Sequence, residues 1–385
     1  MLALRPFQVQ AIQHLDLPQS QSIHLICVAA TGSGKSLIYE RIALAPQRRI
    51  LLITPLVALA RQQYNRLKSQ GISVSLGSGG GPLANASPQG PPMTQSGAWI
   101  ISPETLQFSF RQNQMQNWRP NLLVVDECHC LWDWGEHFRP AFSLIPNILA
   151  KYSIPHSLWL TATLPPEARA QLRKSLPTPQ KEMGRFELPL QITLLIKRVE
   201  WRNRSTILLQ WIFQQTGAGI IFVATREATL RVAKLIAATG KKSVAYHGGM
   251  SKEERQNIEA EIRKGLPLVI VATSAFGMGM DYPHLRYCAL WQAPTSILSL
   301  VQIVGRVGRN SEQNGQALVL WDSDDFRMLE WTIGDSGIRR KEMQNLLNFL
   351  GDEKCRRQAL REYFDPQSPL PPPTRCSRCD FCIGI

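Results

Sequence analysis

Residues 25–39 read Leu25-Ile26-Cys27-Val28-Ala29-Ala30-Thr31-Gly32-Ser33-Gly34-Lys35-Ser36-Leu37-Ile38-Tyr39. A short apolar run, a glycine-bearing turn and a helical stretch follow one another, which is the opening of a strand–loop–helix unit. The glycines let backbone N–H groups turn toward phosphate oxygens, while the helix beginning near Ser36 presents its positive end. Thr31, Gly32, Ser33 and Gly34 then cradle phosphates, Lys35 pairs the β- and γ-phosphates, and Ser36 coordinates magnesium. The full Walker pattern has Gly where this chain has Ala29.

Outward from this stretch, short aliphatic runs alternate with helical segments along the whole chain, which predicts an α/β fold built on parallel sheets with crossover helices. Strands are expected at residues 23–28, 50–54, 98–102, 122–125 and 157–161. Between Pro177 and Trp201 the pattern loosens around Pro177, Pro179, Gly184 and Pro189. A second series follows, with strands at 219–223, 243–246, 268–271 and 317–320 and no phosphate loop of its own. A chain of 385 residues exceeds one ordinary core, so two or three units are expected, with a junction near residue 186. Ligands of open parallel sheets bind beyond the carboxyl ends of strands, so the motifs of the first series should share one crevice. Residues 77–97 and 366–374, rich in Gly, Pro or Ser, read as flexible surface loops.

Lys and Arg number 43 against 29 Asp and Glu, a formal charge of +14. That surplus favours a polyanionic partner, nucleic acid first, or is a solubility surplus spread over the surface. Apolar runs such as Ile50-Leu51-Leu52-Ile53 fall far short of the roughly 18–20 residues that span a bilayer. The N-terminus lacks a signal-type segment, and a cytoplasmic location is expected, nucleoid-associated if the source is bacterial. Of eight cysteines, Cys27, Cys128, Cys130 and Cys288 read as inert buried thiols.

Asp126 and Glu127 directly follow the apolar run Leu122-Leu123-Val124-Val125. At a strand tip near a phosphate loop, Asp126 is placed to hold magnesium and Glu127 to polarise the attacking water. Arg306 and Arg309 are spaced i, i+3 on an expected helix, either as guanidinium forks for a transferring γ-phosphate or as a surface pair. Cys355, Cys376, Cys379 and Cys382 can close a tetrahedral zinc site of structural type, the alternative being a redox dithiol at Cys379 and Cys382.

Together these residues resemble a superfamily 2 helicase and, more narrowly, the RecQ family, over a span from near residue 4 to Cys382. Arg5-Pro6-Phe7-Gln8 looks like the family's adenine-reading motif, and Thr54-Pro55-Leu56-Val57-Ala58-Leu59 like motif Ia. Ser102-Pro103-Glu104, Thr161-Ala162-Thr163 and the stretch from Val271 to Asp281 resemble further motifs. The resemblance implies two tandem RecA-like domains, 1–185 and 186–334, and a small C-terminal helical zinc module, 335–385. It assigns Arg5, Gln8, Asp281 and Gln302 to ATP binding and adds His129 to the catalytic set. Cys130-Leu131-Trp132-Asp133-Trp134-Gly135-Glu136-His137-Phe138-Arg139-Pro140 looks like the family's aromatic-rich loop, in which Trp132, Trp134, Phe138 and Arg139 contact unpaired DNA bases. The bland alternative there is a hydrophobic plug of Trp134 and Phe138.

The implied cofactors are ATP, magnesium and zinc. The implied partners are single-stranded and tailed duplex DNA, with single-stranded-DNA-binding or repair proteins as further candidates. The implied activity is ATP-driven 3′ to 5′ movement on single-stranded DNA with duplex unwinding, in repair or recombination. Family features depart at Glu136 and His137, at Ile303 and Asn310, and after Ile385, where a winged-helix or HRDC domain is expected to be lacking. Two competitors stay open: an RNA helicase, and a DNA-binding or annealing factor that uses ATP as a conformational switch.

Overall fold

The computed structural model describes residues 4–16, 21–55, 57–77, 90–94, 96–133, 141, 144–273, 276, 282, 284–308, 313–333, 337–366 and 375–384. The chain divides into two compact units, Met1–Glu187 and Leu188–Ile385.

Among the described residues the first unit has seven parallel strands: β1 (Ile23–Val28), β2 (Arg49–Ile53), β3 (Val74–Leu76), β4 (Gly97–Ile101), β5 (Leu122–Val125), β6 (His156–Thr161) and β7 (Gln180–Gly184). They are ordered β3-β4-β2-β5-β6-β1-β7. Side chains of a strand alternate between faces, and here both faces are covered. Ile26, Val28, Leu51, Ile53, Leu123, Val125 and Trp159 enter one buried cluster. Their neighbours Leu25, Cys27, Ile50, Leu52, Leu122, Val124, Leu158 and Leu160 enter another. A sheet buried on both sides explains why its strands read as unbroken apolar runs rather than as alternating ones.

Three helices near the phosphate loop matter below: α1 (Pro6–Leu15), α2 (Ser36–Ala43) and α3 (Val57–Ser69). α2 follows β1 and α3 follows β2 in the chain.

Among the described residues the second unit has six parallel strands: β8 (Ile192–Arg198), β9 (Ala218–Phe222), β10 (Ser243–Tyr246), β11 (Val269–Ala272), β12 (Leu285–Leu290) and β13 (Gly315–Trp321), ordered β10-β11-β9-β12-β13-β8. Helices at Ser323–Ile333, Gly337–Gly351, Arg356–Phe364 and Asp380–Ile383 follow β13. The C-terminal cysteine segment clusters with this second unit.

The stretch that reads as loosened, 177–201, contains two strands. β7 (Gln180-Lys181-Glu182-Met183-Gly184) pairs with β1 at the margin of the first sheet, and β8 pairs with β13 at the margin of the second. A marginal strand has one neighbour, so polar residues such as Lys181 and Glu182 are tolerated and no apolar run announces it. Residues 78–89 and 367–374, the bulk of the two stretches expected as flexible loops, lie outside the described residues. Among the described residues no helix is long and apolar enough to cross a membrane.

Candidate nucleotide site and cysteine cluster

β5, β6 and β1 lie side by side, and each ends in a residue of interest: Asp126 after β5, Thr161 at the end of β6 and the phosphate loop after β1. The register is tight. Val125 lies opposite Trp159, and Val28 opposite Thr161. The Asp126 amide donates to the Ile53 carbonyl, that of Cys128 to Leu160 and that of Ala29 to Thr161. Parallel strand ends thereby bring acids and glycine loop to one edge of the sheet.

Gly32 and Gly34 take φ of +77° and +82°, a conformation that a side chain disfavours. At Gly34 a Cβ would also meet the Gln8 amide nitrogen at 2.7 Å. The Lys35 ammonium donates to the carbonyls of Ala29, at 2.8 Å, and Ala30, at 3.2 Å. The Ser33 hydroxyl is buried without a partner, as a donor facing an anion site would be. Gln8, on α1, is buried; its Nε2 donates to the carbonyls of Gly34 and Ser33 and its Oε1 accepts from the Arg5 amide. The residue expected to read adenine therefore braces the phosphate loop in this structure.

Asp126 is buried, and its Oδ1 accepts the Glu127 amide at 3.0 Å. Burial, and next the Glu127 carboxylate, push the Asp126 acid up to about 7, against the pull of the Lys35 charge and of that amide. Glu127 has φ of +51°, a left-handed conformation rare for a side-chain-bearing residue and common at functional sites. Its Oε2 lies 3.3 Å from Nδ1 of His129. That nitrogen is also 3.0 Å from the Thr161 hydroxyl, which donates in turn to the Thr163 carbonyl. Burial opposes a charge on His129, but the Cys130 sulfur and Glu127 carboxylate beside the ring raise its proton affinity. A chain of contacts thus runs from Glu127 through His129 to Thr161 and Thr163.

Sequence reasoning missed Gln63. Its Nε2 donates to Asp126 Oδ2 over 2.6 Å, with both groups buried. The signal was present: Gln63 is in phase with Ala60 and Leu67, at i+3 and i+7 on the buried face of α3, where an apolar residue is the rule.

The remaining assignments fall elsewhere. Gln302 lies on the second unit's helix Ile297–Val304, which starts at the Ser296 cap and stops at Gly305. Arg306 therefore follows the helix in a turn rather than riding on it, a correction to the i, i+3 reading; Gly305 ends the helix and Gly308 has φ of +65°. Arg309, Asp281, Trp134, Phe138 and Arg139 lie outside the described residues, as does the Trp132 side chain.

In the second unit the sulfurs of Cys355, Cys376, Cys379 and Cys382 all lie within 4.8 Å of one another. Tetrahedral zinc with bonds of roughly 2.3 Å separates its sulfurs by roughly 3.8 Å, so this donor set fits zinc. The amide of Cys376 donates to Cys382 Sγ at 3.2 Å and that of Arg378 to Cys376 Sγ at 3.4 Å. Burial resists ionisation of Cys382, yet the Cys376 amide and the neighbouring thiols bring it down to about 7. Convergence of four sulfurs suits a metal better than a two-cysteine redox pair.

Two arginines bind this cluster to its surroundings. Arg356 makes a buried pair with Asp380, at 2.7 Å from Nη2, and donates to the carbonyls of Phe349 and Asp352. Arg357 donates to the carbonyls of Leu188, Pro189 and Ile192, on the approach to β8 and at its first residue. The Leu194 amide donates to the Arg378 carbonyl.

The chain matches three families in succession: DEAD/DEAH box helicase over residues 5–172, helicase conserved C-terminal domain over 204–311 and RecQ zinc-binding over 323–383. It is 28% identical to an ATP-dependent DNA helicase RecQ of Pasteurella multocida, covering 93% of this chain and 57% of that protein. For its Haemophilus influenzae counterpart the values are 27%, 93% and 58%. A probable ATP-dependent DNA helicase RecS of Bacillus subtilis is 26% identical, over 88% of this chain and 70% of that one. The chain thus spans less than three fifths of the first two relatives. Among solved structures, yeast Dbp5 bound to RNA and ADP BeF3 superposes with a TM-score of 0.61 at 18% identity, over 90% of this chain and 98% of that one. The helicase Lhr of Mycobacterium smegmatis, bound to single-stranded DNA and AMP-PNP, gives 0.59 at 22%, over 89% and 48%. These likenesses establish the fold: two RecA-like parallel-sheet domains with a helical, cysteine-bearing C-terminal region.

Proposed function

Since the chain belongs to the RecQ family of helicases, we propose that it hydrolyses ATP to move 3′ to 5′ along single-stranded DNA and to separate duplexes, in the cytoplasm and in the service of repair or recombination. The observation that carries this reading is the meeting of phosphate loop, acid pair and the His129–Thr161 contact at the ends of three adjacent strands, in a chain that also gathers four cysteine sulfurs.

The phosphate loop and Lys35 hold the triphosphate, and Arg5 and Gln8 stand beside them at the base side. Ser36 and Asp126 are the residues that would hold magnesium, which when bound would supply charge neutralisation at the phosphates. Glu127 orients and polarises the attacking water. His129 passes the state of that acid to Thr161 and Thr163, because one imidazole nitrogen faces both the carboxylate and the hydroxyl. Arg306 and Arg309 are assigned to the charge that develops on the transferring phosphoryl group, and Asp281 and Gln302 to nucleotide binding. The aromatic-rich loop with Trp132, Trp134, Phe138 and Arg139 is assigned to unpaired bases. Zinc, when bound to the four cysteines, supplies a closed structural site without an open position for chemistry.

Steady-state hydrolysis with and without single-stranded DNA or RNA tests the reading. DNA should stimulate turnover more than RNA. Lys35→Ala should lower kcat by about 100-fold, as expected when a charge aimed at the transferring group is removed. Glu127→Gln should bind ATP while hydrolysing it poorly. Wild-type turnover in Lys35→Ala, or preference for RNA, would reject the reading.

A further inference from the structure

The amide of Gln63 stands out because it spends a buried helix position on a polar group. Nε2 donates to Asp126 Oδ2, while Oε1 is buried without a protein partner. The Thr54 hydroxyl is likewise buried and unpartnered, and Thr54 directly follows β2, the strand paired with β5 that ends at Asp126. One turn further along α3, Arg66 pairs at 2.8 Å with Glu40, and Gln70 donates to the same carboxylate. Glu40 is buried on α2, whose first residue is Ser36. α3 is therefore fastened to both candidate metal-binding elements, the acid at the end of β5 and the helix that opens with Ser36.

With the Glu127 amide alone on Oδ1 the Asp126 carboxylate could still tilt; a second donor on Oδ2 fixes its plane, and partners that fix a ligand in this way tune metal affinity. Magnesium also keeps several of its waters, and buried polar atoms without protein partners are where ordered water binds. We propose that Gln63 is a positioning residue for Asp126: its N–H holds Oδ2 while the Glu127 amide holds Oδ1, so that the carboxylate's remaining lone pairs are aimed at magnesium, and its own amide oxygen and the Thr54 hydroxyl receive a water of the ion's shell. This rests on the assignment of Asp126 as a magnesium ligand.

The test is equilibrium binding of a fluorescent ATP analogue to the full chain, titrated with magnesium and repeated in EDTA, alongside melting temperature. Gln63→Met keeps the volume and removes the donor. It should raise the magnesium concentration needed for half-maximal binding by about tenfold, the low end of the effect of losing a ligand's hydrogen-bond partner, and leave affinity in EDTA unchanged. Gln63→His retains an N–H donor and should fall between wild type and Gln63→Met. An unchanged magnesium requirement in both variants, or a loss of equal size with and without magnesium, overturns the proposal. A wild-type protein that binds the analogue equally well in EDTA and in magnesium would instead remove the Asp126 assignment itself.

Discussion

Asp126 sits at a point where stability and catalysis pull apart. Its acid is raised to about 7 by burial and by Glu127, whereas an unfolded chain releases that proton near 4. Between those values the folded, nucleotide-free protein holds a proton that the unfolded one has lost, so this group's contribution to stability falls as pH rises from about 4 to about 7. Above that window a carboxylate charge remains in a buried site beside Glu127, only partly offset by Lys35 and two N–H donors. Asp126→Asn should therefore raise the melting temperature at pH 8, by roughly 2–4 °C for each kcal/mol relieved, while abolishing hydrolysis. The difference from wild type should shrink as pH falls toward 5. A lower melting temperature for the variant at pH 8 would contradict this reading. The phosphate loop and the acid pair were legible because their chemistry demands fixed residue types at fixed spacing. Gln63 was not, because its role depends on α3 packing beside β5, a tertiary fact that appears in the sequence only as a polar residue in an apolar phase.

Among the elements, the strands of both sheets were readable where burial on two faces forces unbroken aliphatic runs, as at Leu122–Val125. β7 and β8 were not, because marginal strands obey weaker rules and Pro177, Pro179 and Pro189 masked them as linker. The four-cysteine cluster was legible from the close spacing of Cys376, Cys379 and Cys382 together with the family resemblance that added Cys355, but its attachment was hidden. Arg357, next to Cys355, donates to three carbonyls between Leu188 and Ile192, and the Arg378 carbonyl, beside Cys379, accepts the Leu194 amide. Loss of metal should therefore be felt at β8 as well as in the cysteine loop, since structural zinc binding is coupled to local folding. Metal analysis is expected to find about one zinc per chain. Chelation, or Cys376→Ser, should speed amide exchange across residues 188–196 while leaving the first unit's strands protected. Exchange confined to residues 376–384 would show that the arginine contacts carry no such coupling.

For the whole molecule, the two units divide labour in a way that the matched families reflect: phosphate loop, acids and Thr161 in the first, Gln302, Arg306 and the cysteine cluster in the second. On the proposed assignments hydrolysis and directional movement both draw on both sets, since Arg306 is assigned to the transferring phosphoryl group and Gln302 to the nucleotide. Strand displacement on matched duplexes carrying either a 3′ or a 5′ single-stranded tail tests the proposed function most directly, measured with ATP and with Lys35→Ala as the control. Opening of the 3′-tailed substrate alone, lost in Lys35→Ala, is the expected result. Opening of the 5′-tailed substrate, or hydrolysis stimulated by DNA with neither duplex opened, would contradict it.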